Sequence, residues 1–204
     1  MITLSDIEQK LYPLHPSRIL NVYLFGSRVY QTGGSNSDWD LVVIAKTHYQ
    51  EKEIISDNFN IHLLSQETFE SDLKQNKIRS LECIMAPEFA KLKEVILYNP
   101  IDYLNTSSLR YSISHINSNS WVKCKKKLLQ GDYYIGIKSL WHAIRIVMFG
   151  IQISKFGKII DFSCANSIWF ELISKAWTWE ELDSKYRELN NSLLSEFRKN
   201  TPKS

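Results

Sequence analysis

Two short polar segments carry the residues of this sequence that are best suited to chemistry. The first is Gly26-Ser27, which follows an apolar run, and the second is Asp38-Trp39-Asp40, which begins another. In a β-strand, residues two apart point to the same face, with Cα atoms about 6.6 Å apart. Two carboxylates placed in this way can converge on divalent cations, and such cations take phosphate oxygens as further ligands.

The Gly-Ser segment is suited to holding an anion. If a short helix begins there, its first N–H groups and the Ser27 hydroxyl are available to a phosphate. Either segment alone has an ordinary structural interpretation, because Gly-Ser is common in turns and caps. The joint order of strand, Gly-Ser, polar loop, Ser37-Asp-x-Asp and apolar strand instead favours a phosphate facing metal ions, which is the arrangement for in-line nucleotidyl transfer.

The elements that must position these residues differ between the two halves of the chain. Residues 18 to 98 mix β-like runs with short helices, whereas residues 106 to 200 show helical periodicity. We predict a mixed α/β (α+β) domain over residues 1–100, a helical domain over 101–200 and a disordered tail over 201–204. The predicted strands are Arg18–Phe25, Asp38–Ala45 and Phe59–Leu64, and the predicted helices are Leu4–Tyr12, Gln66–Lys74, Lys77–Met85, Ser107–Leu129, Asp132–Phe156, Cys164–Lys175 and Trp179–Asn200.

Composition narrows the class of protein. The chain has 204 residues, of which 44% are apolar and 23% charged, so it is not disordered as a whole. A net charge of +3 does not by itself identify a nucleic-acid binder. The three cysteines give neither a disulfide framework nor a zinc spacing. Since the sequence shows no secretory signal and no uninterrupted apolar stretch of about 18 residues, we expect a cytoplasmic protein without a membrane span.

The pattern of Gly26-Ser27 followed by Ser37-Asp38-Trp39-Asp40-Leu41 resembles the signature of the nucleotidyltransferase, or DNA polymerase β-like, superfamily. This resemblance implies a mixed β-sheet head with an appended C-terminal helical lobe. It also implies that Gly26 and Ser27 bind nucleotide phosphates and that Asp38 and Asp40 bind Mg²⁺ or Mn²⁺. Three segments are similar to the predicted nucleotidyltransferases associated with RNA ligases: Leu63–Phe69, Ile78–Cys83 and Lys138–Arg145.

The chain departs from the superfamily pattern on the next strand. Active members commonly carry a third acid there, as metal ligand and base, but here Asn60 or His62 occupies the position, depending on register. An Asn oxygen is a neutral ligand, and His is a poor Mg²⁺ ligand that can act as a base. The alternatives are that His62 substitutes, that the acceptor is deprotonated without help, or that transferase activity is lost.

Basic residues in the helical half are candidates for contacts with phosphates. Lys138, His142 and Arg145 share one face of an apolar helix, so they need a nucleotide, structural acids such as Glu82, Asp161 or Glu171, or exposure to solvent. Arg28 either touches a phosphate or covers the helix start. The cluster Lys123, Lys125, Lys126 and Lys127 either tracks an RNA backbone or forms a solvated helix face.

We therefore predict a metal-dependent enzyme that transfers a nucleoside monophosphate from a nucleoside triphosphate (NTP) to a hydroxyl, with an RNA end as the favoured acceptor. The predicted catalytic residues are Asp38, Asp40, Asn60 and His62, and the predicted nucleotide contacts are Gly26, Ser27, Arg28, Ser37, Lys138, His142 and Arg145. The alternatives are a degenerate transferase that still binds nucleotide or RNA, and a transferase acting on a protein side chain or a small molecule.

Overall fold

A computed structural model describes residues 2–202. The chain divides between Tyr103 and Leu104 into two compact units. The first unit contains helices α1 (Leu4–Lys10), α2 (Gln66–Lys74) and α3 (Ile78–Ile84), and strands β1 (Ile19–Phe25), β2 (Trp39–Ala45), β3 (Glu51–Ser56), β4 (Phe59–Ser65) and β5 (Lys91–Glu94). The second unit contains helices α4 (Thr106–Leu129), α5 (Tyr133–Phe156), α6 (Asn166–Ile173) and α7 (Trp179–Asn200).

The five strands form one mixed sheet in the order β3-β4-β2-β1-β5. Strands β2 and β4 are parallel, and the other neighbouring pairs are antiparallel. The residues from Leu41 to Ala45 are fully buried, as predicted for a central strand that is apolar on both faces. Phe69 of α2 stacks on Tyr23 of β1 with ring centroids 6.3 Å apart, so α2 covers the face to which Tyr23 points. The predicted mixed α+β fold is confirmed.

Two strands were not predicted, and both lie at edges of the sheet. Strand β3 has the sequence EKEIIS and is largely exposed, and β5 is only four residues long with the sequence KLKE. Charged residues commonly protect edge strands from pairing with other chains, but they also remove the apolar alternation that identifies a strand. The charged residues that suit these two strands to an edge therefore also prevented their prediction from the sequence.

In the second unit a buried asparagine, Asn117, links α4, α5 and α7. Asn117 of α4 donates from Nδ2 to the Ala143 carbonyl of α5 at 3.0 Å and to Asn190 Oδ1 of α7 at 2.7 Å. The capping box at Thr178 and Glu181 begins α7 at the predicted residue, and Gly157, with φ of 71°, ends α5 as predicted.

Helix α5 is long and apolar enough to cross a bilayer by length and composition. However, 67% of its most apolar window is buried inside the fold, as is typical of the core helix of a helical unit.

The prediction of a disordered tail from residue 201 is wrong for Thr201. This residue is 1% exposed, and its hydroxyl donates to the Phe197 carbonyl at 2.8 Å. Its carbonyl also accepts a hydrogen bond from Arg110 Nη1 at 2.5 Å, so the end of α7 is tied to α4. The predicted tail residues Lys203 and Ser204 lie outside the described residues.

Candidate active site

Asp40 lies between two strands that bring residues from distant parts of the chain beside it. In the sheet it pairs with Phe25 of β1 on one side and with Asn60 of β4 on the other. Directly paired residues point to the same face of a sheet, so Asp40 and Asn60 face the same side. Asp38 precedes β2 by one residue and is exposed. The end of the sheet that carries Asp40 thus also carries the turn that follows β1.

Gly26 begins that turn, and its backbone lies against the Asp40 carboxylate. Its φ is 75°, a region that L side chains rarely adopt. A Cβ built on Gly26 would overlap Asp40 Oδ2 and lie 2.9 Å from Asp40 Cγ. Both the backbone conformation and the available space therefore require glycine, and the Gly-Ser turn approaches the acid closely for that reason.

The loop from Ser27 to Ser37 folds back so that its two serines converge. The N–H groups of Thr32 and Gly33 donate to the Ser27 carbonyl at 2.9 and 3.1 Å. A Cβ built on Gly33 would lie 3.0 Å from Ser27 Oγ and 3.1 Å from Ser37 Oγ. The two hydroxyls thus flank the same glycine, which puts the predicted phosphate contacts Ser27 and Ser37 in one place.

Arg28 spans the two arms of this loop. Its guanidinium donates to the carbonyl oxygens of Ser37 and, at 3.3 Å, Asp38. It also lies 3.8 Å from the centroid of the Trp39 ring, in a cation–π arrangement. These contacts hold the loop from Ser27 to Ser37 against the start of β2. A role for Arg28 as a phosphate ligand stays a prediction.

The register of β4 distinguishes Asn60 from His62. Asn60 Nδ2 donates to Asp40 Oδ1 at 3.4 Å, which is a long hydrogen bond. His62 lies two residues further along the strand. It faces the same side as Asn60, but it pairs with Val42 and Glu53. The residue beside Asp40 is therefore Asn60.

A buried pair that no sequence pattern identifies supports the turn. Tyr30 and Glu82 are 3% and 2% exposed, and the Tyr30 hydroxyl donates to Glu82 Oε2. Glu82 belongs to α3, so this hydrogen bond ties the segment after Gly26-Ser27 to a helix more than fifty residues away in sequence. Glu82, one of the acids considered as partners for the basic face of α5 (Lys138, His142 and Arg145), is thus a partner of Tyr30.

The basic face of α5 contains two cations rather than three. Arg145, which is 3% exposed, contacts His142 Nδ1 through Nη2 at 3.0 Å and lies 4.6 Å from the Trp141 ring centroid. Burial, together with the nearby positive charges of Arg145, Lys123 and Lys138, lowers the pKa of His142 to about 3. His142 is therefore neutral at pH 7 and accepts the hydrogen bond at Nδ1, which corrects the expectation that it is a cation.

The other predicted basic residues of the second unit lie on its surface. Lys138 is exposed and lies 5.9 Å from the Tyr134 ring centroid. Two of the acids considered as partners for this face have other contacts: Glu171 accepts hydrogen bonds from Lys185 and Tyr186, and Asp161 accepts from Ser163. Lys123, Lys125 and Lys126 are exposed, whereas Lys127 pairs with Asp132 at 3.0 Å.

Comparison with known proteins identifies the first unit. The sequence profile of the family described as "Polymerase beta, Nucleotidyltransferase" matches residues 9–100, which include Gly26, Ser27, Asp38, Asp40 and Asn60. The first unit is a nucleotidyltransferase domain of the polymerase β superfamily. The predicted resemblance to this superfamily is thereby confirmed. No curated protein sequence matches the chain significantly.

Solved structures similar to the whole chain include two distant ones. A nucleotidyltransferase-like protein from Exiguobacterium sibiricum is 14% identical with a TM-score of 0.38, and the match covers 95% of this chain and 74% of that one. The spectinomycin adenyltransferase AAD(9) of Enterococcus faecialis, solved with ATP and spectinomycin, is 14% identical with a TM-score of 0.42. That match covers 100% of this chain and 92% of the adenyltransferase.

The nucleotidyltransferase domain carries oxygen donors of the kind that a hard divalent cation takes. Members of the family generally use an NTP and a divalent metal. Asp38 and Asp40 supply two carboxylates, and Asn60 Oδ1 is a buried oxygen without a hydrogen-bond partner beside Asp40. Among residues 2–202 there is no group of three or more His, Cys, Asp and Glu side chains that could hold a metal ion, so a third carboxylate is missing from this donor set.

Proposed function

We propose that this protein is a metal-dependent nucleotidyltransferase that moves a nucleoside monophosphate from an NTP to a hydroxyl group, with release of pyrophosphate and with an RNA end as acceptor. The observation that supports this proposal most strongly is the placement of Asp40 against both the Gly26 turn and Asn60. A cation ligand and a phosphate-binding turn in contact with each other are what transfer from a triphosphate requires.

Each residue of the candidate site has a proposed role in this reaction. Asp38 and Asp40 hold Mg²⁺ or Mn²⁺, which when bound would offset the charge of the triphosphate and favour ionisation of the attacking hydroxyl. The Gly26-Ser27 turn and the Ser37 hydroxyl bind phosphate oxygens. Arg28 keeps the loop that carries both serines attached to β2, through the Ser37 and Asp38 carbonyls.

The proton of the acceptor hydroxyl needs a path other than a third acid. An Asn amide does not accept a proton at neutral pH, so Asn60 cannot serve as a base. We propose that His62, on the same face of β4 and one step from Asn60, receives this proton. A His62→Gln variant should then lower the transfer rate constant while NTP binding is retained.

The choice of RNA rests on the exposed lysines of α4 and on the similarity of three segments to nucleotidyltransferases associated with RNA ligases. Lys123, Lys125 and Lys126 lie within one turn of that helix and are exposed. Clustered cations of this kind suit a phosphate backbone. Lys138 and Arg145 are proposed to contact nucleotide phosphates, and His142 to hold the Arg145 guanidinium as a neutral acceptor.

The experiment that tests the proposal is transfer of label from α-phosphate-labelled NTPs in the presence of Mg²⁺ or Mn²⁺. RNA, protein and small-molecule acceptors such as aminoglycosides are offered separately, so that the labelled product identifies the acceptor class. An Asp38→Asn, Asp40→Asn double variant should lose at least about 10³-fold in rate, because both cation ligands are removed. Asp57→Asn is the matched control, since Asp57 is an exposed acid that pairs with Lys10 at 2.6 Å.

The second candidate function is binding of nucleotide or RNA without transfer, and Asn60 in place of an acid favours it. In that case the wild-type protein should bind a labelled NTP with Mg²⁺ but transfer no label to any acceptor. Transfer that is unchanged in the double variant would reject the enzymatic proposal, because the two acids would then have no part in the reaction.

A further inference from the structure

A cavity of about 360 Å³ lies at the end of the sheet opposite to Asp40. Ala45 ends β2, and it pairs with Ser65 of the parallel strand β4 and with Ile19 of the antiparallel strand β1. Because β2 rises about 3.3 Å per residue, this end of the strand lies roughly 16 Å from Asp40. The segments that flank the three strand ends meet here, and the residues that line the cavity are Arg18, Ala45, Lys46, Thr47, His48, Ser65, Gln66 and Glu67.

The two cationic residues of this cavity, Arg18 and Lys46, differ from other cations of the domain because no acid pairs with them. Lys10, for example, pairs with Asp57 at 2.6 Å. Within residues 2–202, Arg18 and Lys46 make no ion pair, even though the acid Glu67 lines the same cavity. The cations of the cavity thus outnumber its acid, and an excess of positive charge in a concave site attracts an anion.

The donors around the cavity suit a phosphate group. The planar guanidinium of Arg18 can donate to two phosphate oxygens at once, and Lys46 supplies a compact positive charge. Helix α2 begins at Gln66, and the N–H groups of Gln66 and Glu67 have no partner within that helix. A volume of about 360 Å³ lies at the lower end of the range for ligand pockets, so the phosphate can be part of a larger molecule.

We propose that this cavity binds a phosphate group, as a second anion site separate from the Gly26-Ser27 turn. The phosphate is carried by an RNA backbone or by a free phosphorylated compound, since both present the same oxygens. Such a site goes beyond the proposed function, because it needs neither a metal ion nor transfer from an NTP. Arg18 and Lys46 attract the anion and Glu67 opposes it, so removing these charges should change the affinity in opposite directions.

The test follows the backbone amide signals of the full chain by ¹H–¹⁵N NMR while inorganic phosphate is added, with sodium chloride at equal ionic strength as the reference. The amides of Thr47, Gln66 and Glu67 should shift until the site is saturated. The Ser27 amide reports separately on the Gly26-Ser27 turn. A single-stranded RNA is then added in the same way. Shifts of the three cavity amides at lower concentrations of RNA than of phosphate assign the site to RNA, and shifts with phosphate alone assign it to a free compound.

Substitutions that remove one charge at a time test which residues hold the phosphate. Arg18→Gln and Lys46→Gln should each weaken phosphate binding about fivefold, because a charge-assisted hydrogen bond is lost. Glu67→Gln should tighten it about threefold. Lys74→Gln is the matched control: it removes a positive charge from the exposed last turn of α2, about 10 Å along the helix from Glu67, and should change the affinity less than about twofold.

The cavity is not a phosphate site if the amides of Thr47, Gln66 and Glu67 stay in place with both phosphate and RNA, or if sodium chloride shifts them equally. The same conclusion follows if Arg18→Gln and Lys46→Gln bind phosphate as tightly as Lys74→Gln does. None of these results affects transfer from α-phosphate-labelled NTPs, so failure of this site and failure of the proposed function are distinguishable. The same spectra show that each variant is folded.

Discussion

In the nucleotidyltransferase domain the candidate site is assembled from three separate segments, whereas the basic face of α5 comes from two turns of one helix. Gly26, Asp40 and Asn60 meet because β1, β2 and β4 are neighbours in the sheet. His142 and Arg145 meet because they are three residues apart on α5. In the first region Asn60 makes one long hydrogen bond to Asp40, at 3.4 Å. In the second the polar side chains contact each other, and the cationic character of one of them is lost.

This difference shows that polar residues within apolar sequence can have either of two roles. Those at the end of a sheet strand are held by backbone register, so their positions do not depend on mutual hydrogen bonds and can be directed toward a ligand. Those on a core helix are surrounded by side chains from the same unit, so they must satisfy one another or their charge is suppressed. Substitutions at the two places should therefore affect different properties.

The largest effect is expected from Gly26→Ala, which tests whether the turn must touch Asp40. The new Cβ would overlap the Asp40 carboxylate, and φ is 75°, so both overlap and backbone strain arise. We expect about 3 kcal/mol lower free energy of unfolding in urea and loss of transfer activity in the remaining folded protein.

Gly131→Ala is the matched control for this substitution. Its φ is 78°, but a Cβ there would have nothing within 4 Å. It should therefore carry only the backbone cost, about 1 kcal/mol, and leave transfer unchanged. Equal destabilisation by the two substitutions would mean that the contact between Gly26 and Asp40 contributes nothing.

The sequence contained enough information to predict the elements that carry the site but not the contacts within it. The strands through Phe25 and Asp40 were predicted nearly to the residue, because their apolar runs end at glycine and at polar loops. The bounds of α2 and α7 were also predicted as observed, since Ser65 and Thr178 are N-cap residues. Local signals of this kind need no knowledge of distant residues.

What could not be predicted depends on register and on neighbouring elements. Both Asn60 and His62 suited the third position until the parallel pairing of β2 with β4 placed Asn60 opposite Asp40. The Tyr30–Glu82 hydrogen bond joins a turn to a helix that only the folded sheet brings near. The neutral state of His142 depends on burial and on Lys123 of α4, neither of which can be read from the spacing along α5.

A smaller effect is expected from the pH dependence that His142 gives to stability. Because its pKa is lowered to about 3 in the folded protein, the unfolded chain binds a proton below about pH 6.5 and the folded chain does not. Stability should therefore fall as the pH drops below about 6.5, by up to about 1.4 kcal/mol per pH unit from this residue. Urea unfolding at pH 7.5 and 5.5 should show a loss of about 1 kcal/mol in the wild type that His142→Gln reduces.

His115→Gln is the control for this measurement. His115 is an exposed histidine of α4 whose Nε2 lies 2.9 Å from Asn119 Nδ2. Its substitution should leave the pH dependence as it is in the wild type. If His142→Gln also leaves that dependence unchanged, His142 titrates in the folded protein as it does in the unfolded chain. The loss of charge on α5 would then no longer distinguish this helix from the candidate site.

The smallest effect is expected at the lysines of α4, where the question is whether a surface cluster has a ligand. Lys126 is exposed, whereas the neighbouring Lys127 is paired with Asp132 at 3.0 Å. If RNA binds here, Lys126→Gln should weaken binding a few-fold and lower the slope of log affinity against log salt by up to about 0.7, since one phosphate contact to a single strand is lost. Fluorescence anisotropy of a labelled single-stranded RNA over a salt series measures both quantities.

Lys127→Gln removes the same charge but also releases Asp132, so it separates net charge from a specific contact. A general charge effect would make the two variants equal, whereas a phosphate contact by Lys126 makes its salt slope the smaller one. Neither substitution should change the free energy of unfolding by more than about 0.5 kcal/mol, because both residues lie on the surface and exposed ion pairs contribute little. An unchanged salt slope in Lys126→Gln would assign this lysine to a solvated helix face and leave the choice of RNA without support from it.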